Sequence, residues 1–312
     1  MSKFNLESYL SQLDRIRSDF PILSSKVYDK SLVYLDNAAT THKPQSVIDA
    51  ISQFYASDYG TVHRGVYALS VESTAKYSAV RKQVSQFLNA PSADCVVFTK
   101  GCTEAINLVS NGYGRPFFQS GDEIIISEIE HHANYVPWQR LAAQSNLVLR
   151  TIPVSDAGDL DLGAYREMLS EKTALVAVAH VSNVLGTVHP IKKIIGDAHK
   201  VGAKVLIDGA QAAPHFKLDV QDLDCDFYCF SAHKLYGPTG IGCLYAKYDL
   251  LEQMEPYQLG GDMIESVTFD KTQFAKPPLK FEAGTPPIVQ AIALGKAIDW
   301  INKIGIENIA HH

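Results

Sequence analysis

From about residue 95 onward, short apolar runs recur with helical stretches between them, and this alternation restricts the chain to few architectures. The runs cover residues 95–98, 124–126, 148–152, 175–179, 205–207 and 227–230. Their hydrophobicity is continuous rather than alternating, the pattern of strands covered on both faces by helices. The stretches between them are long enough for crossovers. Pro190 opens one such helix, its body runs from Lys192 to Lys200, and Gly202 stops it before the next run. The expected fold class is therefore α/β, with a mostly parallel sheet flanked by helices. Beyond residue 234, Gly237, Gly240 and Gly242 predict a tight turn, and Leu244-Tyr245-Ala246 a returning strand that runs antiparallel.

The chain then turns irregular at Pro277-Pro278 and Pro286-Pro287, which read as a domain edge, and residues 289–310 are helical in pattern without a stop signal. The expected division is a segment at 1–30, a large domain at 31–282 and, at 283–312, the start of an incomplete small domain. With 312 residues, 46% of them hydrophobic, the chain can bury a large core. Its 28 Lys and Arg against 34 Asp and Glu include no basic run, so nucleic acid is not an expected partner. Residues 1–20 form a charged amphipathic segment with Leu6, Leu10, Leu13 and Ile16 at near-helical spacing, and no apolar leader core or small-residue cleavage site. No window approaches a transmembrane span. Five cysteines, Cys95, Cys102, Cys225, Cys229 and Cys243, form no CxxC pair, which points to a reducing compartment, by default the cytoplasm.

Polar residues follow several apolar runs immediately, and in an open α/β sheet the carboxyl ends of strands are where ligands sit. Lys234 ends Ser231-Ala-His-Lys and precedes Gly-Pro-Thr-Gly-Ile-Gly. An isolated lysine is ordinarily a solvated surface residue. A lysine restrained between a buried strand and a close-packed turn can instead attack an aldehyde carbon, which is how pyridoxal phosphate is anchored. Asp208 ends another run; alone it reads as a cap or turn residue, but beside such a lysine a carboxylate facing the pyridine nitrogen would keep the ring protonated. Gln211, three residues on, would then reach the phenolic oxygen, with surface glutamine as the alternative.

Thr103 sits near the start of a helix after Gly101, where free backbone amides suit a phosphate, although an isolated Gly-x-Thr is more simply an N-cap. His131 and His132 have no companion ligands at zinc spacing. One of the two imidazoles is expected to stack on the pyridine ring, against a plain packing or surface role.

These stretches together resemble the class V aminotransferase family of fold-type I pyridoxal enzymes, in particular its Suf-type, or group II, cysteine desulfurase branch. The resemblance rests on Tyr34-Leu-Asp-Asn-Ala-Ala-Thr, Val62-His-Arg-Gly, Glu130-His-His-Ala-Asn, His180-Val-Ser-Asn-Val-Leu-Gly-Thr, Asp208-Gly-Ala-Gln, Asp224-Cys-Asp-Phe-Tyr, the stretch from Ser231 to Gly242, and Phe281-Glu-Ala-Gly-Thr-Pro. It implies Lys234 as the Schiff-base residue, Asp208 on the ring nitrogen, Gln211 on the phenolic oxygen, and His131 rather than His132 stacked on the ring. Thr103, Ser231 and His233 would hold the phosphate, Asn183 would sit beside cofactor and substrate carboxylate, and His63 would lie on the substrate entry side. Thr285 resembles a position that reaches a neighbouring subunit's phosphate, which implies a homodimer.

The implied reaction converts L-cysteine to alanine and an enzyme-bound persulfide, passed to an acceptor protein for iron–sulfur assembly; relatives also cleave selenocysteine. The sequence departs from the family in its thiol. The sulfur-carrying cysteine belongs to a C-terminal segment near an arginine that clamps the substrate carboxylate, and none of the five cysteines matches it, so the chain reads as a fragment lacking about a hundred residues. Leu259-Gly-Gly-Asp-Met-Ile also stands where the family favours three glycines. Two alternatives remain open: another class V chemistry, such as transamination, kynureninase-like cleavage, racemisation or selenocysteine lysis, and a non-catalytic cofactor-binding or dimerisation module.

Overall fold

A computed structural model describes the backbone of residues 6–63 and 65–312, with side chains from residue 12 onward. The expected amphipathic segment includes the helix α1 (Leu6–Ser18). Ile16 and Phe20 pack on the core, while residues 1–5, the side chains of Leu6 and Leu10, and Arg64 lie outside the described residues.

The six apolar runs are all strands of one seven-stranded sheet. In chain order they are β1 (Val96–Thr99), β2 (Glu123–Ser127), β3 (Val148–Ile152), β4 (Thr173–Ala179), β5 (Lys204–Asp208) and β6 (Phe227–Ser231), joined by β7 (Gly242–Ala246). Across the sheet the order is β3-β2-β4-β5-β6-β7-β1. Strands β3, β2, β4, β5 and β6 are mutually parallel, whereas β7 returns antiparallel to β6 and β1 is antiparallel to β7. The return predicted from the three glycines is thus present.

Side chains on each strand alternate between two cores, one on each face. Val176, Val178, Val205 and Ile207 join a cluster with Ile194, Val80 and Ile298. Leu175, Ala177, Leu206 and Phe227 join the other, with Ile106, Trp138 and Leu141. Each fully buried Leu, Ile or Phe contributes about 1.5–3 kcal/mol relative to exposure, so both faces require a helical cover. The exception is β3, expected to be covered on both faces: Val148 is 42% exposed on this strand, which pairs only with β2 at the sheet edge.

The covering helices include α2 (Gln45–Gln53), α3 (Ala68–Phe87), α4 (Cys102–Val109), α5 (Val136–Ser145), α6 (Ile191–His199) and α7 (Ile288–Ile304). Pro190 precedes α6 and Gly202 takes φ +84 after it, as the punctuation predicted. The continuous helix expected over residues 289–310 is broken at Gly305 (φ +90), where a second short helix begins. α7 lies against α2 and α3. Gln83 Nε2 donates to Gly295 O at 3.1 Å, and a Cβ at Gly295 would stand 2.9 Å from Val80, so that helix contact needs glycine. No helix among the described residues is long and apolar enough to cross a membrane.

Candidate active site

The site is built at the carboxyl ends of β4, β5 and β6. Parallel register sets Ala179 beside Asp208 and Asp208 beside Cys229, so chemistry carried on three separate segments meets at one rim. A cavity of about 460 Å³ opens there, lined by Thr103, His131, Asn183, Asp208, Gln211, Ser231, His233 and Lys234, together with Asp36, Ala38, Ala39 and Cys102.

Lys234 closes a short 3-10 turn, Ala232–Lys234, directly after β6. The backbone at its base is held firmly. The His233 carbonyl accepts from Thr41 N–H at 3.0 Å and from Lys43 Nζ at 2.9 Å, and the Ala232 carbonyl accepts from Gly237 N–H at 2.9 Å. Burial lowers the Lys43 amine to about 8. His233 Nδ1 lies 3.2 Å from Thr40 Oγ1, so the Thr40–Lys43 stretch braces the lysine turn from across the chain.

Asp208 is 5% exposed, and its Oδ1 accepts from Ala210 N–H at 2.9 Å, which leaves its second oxygen for the cavity. Gly209 follows because Tyr228 lies beneath it: a Cβ there would stand 2.1 Å from the Tyr228 ring. Tyr228 Oη is 3.0 Å from His180 Nδ1, and burial lowers His180 to about 4. The His180 N–H donates to the Asp208 carbonyl at 2.8 Å, which joins β4 to the end of β5. Gln211 lies in a turn, not a full helix, and its Nε2 donates to Ala38 O at 2.7 Å, with a second N–H remaining.

Thr103 lies in the first turn of α4, after Gly101 at φ +155. Gly101 and Gly242 approach so closely that a Cβ on Gly242 would stand 2.5 Å from Gly101 Cα. That approach lets Cys102 N–H donate to Ser231 Oγ at 2.9 Å. Amides of a first helical turn lack intrahelical partners, so this turn and the Ser231 hydroxyl suit an anion.

His131 Nδ1 accepts from Ala133 N–H at 3.1 Å, which in the neutral ring puts the proton on Nε2. Burial, reinforced by the Lys234 charge, lowers its pKa. Glu130, immediately before it, is buried. Its Oε1 accepts from Ser127 Oγ and from Ala179 N–H at 3.0 Å, its Oε2 from Asn134 Nδ2 at 2.7 Å, and desolvation raises it to about 7.

Two of the expected site residues lie elsewhere. His63 is exposed at φ +71, with its ring edge-on to Tyr77, and Thr285 lines a separate hollow of about 110 Å³ with Tyr77, Glu104 and Tyr257. Sequence reasoning gave no role to Asp36, Ala38, Lys43 or Glu130. The first two lie in the quoted Tyr34-Leu-Asp-Asn-Ala-Ala-Thr stretch, and Glu130 opens the histidine motif. All five cysteines are buried; in Cys102, Cys225 and Cys243 the largest cause raising the thiol pKa is desolvation, opposite to what a reactive thiolate needs.

The cavity fits pyridoxal phosphate on its donor set: an amine, a carboxylate at the end of the adjacent strand, an imidazole in the same lining and a glycine-bordered helix start. Residues 33–312 match the model of the aminotransferase class-V family. The chain belongs to this family. Among curated class-V relatives, it is 52% identical over 301 residues to the cysteine desulfurase of Dickeya dadantii, covering 96% of this chain and 73% of that one. It is 50% identical over 298 residues to the cysteine desulfurase of Synechococcus elongatus, spanning 96% of this chain but about half, 48%, of that longer protein. Among solved structures, the cysteine desulfurase CsdA from Escherichia coli superposes with a TM-score of 0.87 at 43% identity, over 95% of this chain and 73% of that one. The apo cysteine desulfurase of Thermococcus onnurineus gives 0.90 at 39% identity, over 96% and 72%.

Proposed function

We propose that this class-V chain is a cysteine desulfurase whose pyridoxal phosphate is held by Lys234, and that it releases the sulfur of L-cysteine with formation of alanine. The observation that carries the reading is the meeting of Lys234 and Asp208 in one cavity with the Thr103 and Ser231 turn. The identities of 50–52% to named desulfurases support the same substrate.

Bound there, the cofactor supplies an aldehyde carbon for an amine and a ring that, once protonated, draws electrons from the substrate's α-carbon. The Asp208 carboxylate would hold that proton at the ring nitrogen. Gln211 offers its second amide N–H to the phenolic oxygen, and the Thr103 turn, Ser231 Oγ and His233 orient the phosphate. His131, which lines the cavity with its Nδ1 occupied by Ala133 N–H, would stack on the ring. Lys234 would anchor the cofactor through its amine, and as a free amine it would be the candidate base for the substrate's α-proton. Asn183, in the cavity lining, would orient the substrate carboxylate.

The Suf-type branch is the finer reading, supported by the Glu130-His-His-Ala-Asn and Ser231-to-Gly242 stretches. In it the sulfur-accepting thiol is none of the five buried cysteines, and the persulfide passes to an acceptor protein for iron–sulfur assembly. Thr285, outside the cavity, serves a second subunit's phosphate in a homodimer, and the compartment is the cytoplasm. The chain loaded with pyridoxal phosphate is expected to gain visible absorbance that Lys234→Ala lacks, and, joined to the C-terminal sequence of its own gene, to form alanine from L-cysteine. Alanine formation without that absorbance, or absorbance without alanine from the extended chain, overturns the reading.

A further inference from the structure

Two thiols that the proposed reaction does not use stand beneath the cavity, next to Asp208. Cys102 opens α4 and lines the cavity; Cys229 lies on β6, paired in register with Asp208, and is fully buried. The two sulfurs and an Asp208 oxygen lie within 4.8 Å of one another. The other three cysteines belong to no such group among the described residues.

A tetrahedral zinc-like ion with bonds of about 2.3 Å to sulfur and about 2.1 Å to oxygen needs ligand atoms about 3.3–3.8 Å apart. Atoms within 4.8 Å of one another stand no more than about 1.5 Å beyond the separation such an ion needs. Two thiolates and a carboxylate are a set that selects soft divalent ions over magnesium or calcium. Entry is open, because Cys102 and Asp208 both face the cavity.

We propose that Cys102, Cys229 and Asp208 form a site for one soft divalent cation, of the zinc and cadmium class. The fourth coordination position faces the cavity. Binding takes the ion and two thiols to a bis-thiolate complex and releases two protons; Asp208 adds its existing carboxylate, and no electron transfer is involved. A cation on Asp208 draws away the carboxylate that the proposed function assigns to the ring nitrogen. Cation and pyridoxal phosphate therefore exclude each other, and only this exclusion rests on the proposed function.

The test uses the full chain stripped of cofactor and metal, titrated with cadmium chloride. One ion per chain is expected, with a sulfur-to-cadmium charge-transfer band in the ultraviolet and two protons released. Cys229→Ser, which does not line the cavity, is expected to lose the band and bind cadmium at least tenfold more weakly, while keeping the wild-type circular dichroism and cofactor absorbance. Excess pyridoxal phosphate is expected to weaken cadmium binding to the wild type at least tenfold. A band of equal size in Cys229→Ser, no thiolate band in the wild type, or simultaneous undiminished binding of both overturns the proposal. Failure of the cofactor reading appears separately, as absent visible absorbance when no cadmium is added.

Discussion

Two buried charged constellations sit on either side of β7, and they are built on opposite principles. Arg81 and Glu282 are bound to each other in a two-pronged pair. The Arg81 Nη1 donates to Glu282 Oε1 at 2.6 Å and to Val96 O at 2.8 Å, and Nη2 donates to Oε2 at 2.7 Å. Glu282 also accepts from Phe98 N–H at 2.8 Å and Tyr77 Oη at 3.0 Å, and the guanidinium stacks 4.5 Å from the Phe98 ring. Asp208 and Lys234 instead face a cavity with hydrogen-bonding capacity left over. A pair engaged with itself and with the backbone around it holds structure, whereas groups left partly unsatisfied at a cavity can act on a ligand.

The sharpest way to break this contrast is Lys234→Ala. It is expected to abolish the visible cofactor absorbance and lower turnover of L-cysteine at least about 10³-fold, with the unfolding midpoint close to wild type; a folded variant with unchanged absorbance would misplace the cofactor. Arg81→Ala is expected to do the reverse. Leaving Glu282 buried without its partner costs about 3–5 kcal/mol of stability, read by denaturant unfolding, while cofactor absorbance per folded molecule stays the same. Loss of less than 1 kcal/mol would show that the pair is not structural.

Asp208→Asn comes next, since the amide cannot retain the ring proton: turnover is expected to fall about 10²–10³-fold, and the absorbance spectrum to shift while stability changes little. Equal turnover in the variant would remove Asp208 from the chemistry.

The smallest effect is expected at Glu130, which belongs to neither constellation. Its pKa of about 7 lies above the ordinary 4.5 because burial disfavours the charge. The folded state therefore binds this proton more tightly than the unfolded chain. The contribution is full below about pH 4.5 and is lost as pH rises through about 7, by at most about 3 kcal/mol from a shift of this size. Denaturant midpoints measured from pH 4.5 to 8 should decline in the wild type and decline less in Glu130→Gln; parallel curves would assign the slope to other groups.

Much of the architecture was legible because parallel strands buried on both faces must be continuously apolar, so the six runs, the crossover helix closed by Gly202 and the glycine return to β7 could be read in one dimension. The edge position of β3 could not, since an apolar run does not state how many neighbours it pairs with. Lys234, Asp208, Gln211 and Thr103 were found by their place after strands. Glu130 stood out only as part of the histidine segment, without a role of its own, and Lys43 not at all: an ionisable residue in a loop carries no local mark that the fold will bury it.

The sequence by itself determined which segments are strands and which polar residues stand at their ends, because hydrophobic period and glycine placement act over a few neighbouring residues. Only the tertiary structure decided that Ala179, Asp208 and Cys229 lie side by side, that Thr41 and Lys43 grip the turn carrying Lys234, and that Cys102 meets Cys229 across 127 residues of chain. Those juxtapositions follow from strand order and register, which arise from packing the whole sheet between its helices and are written in no single segment.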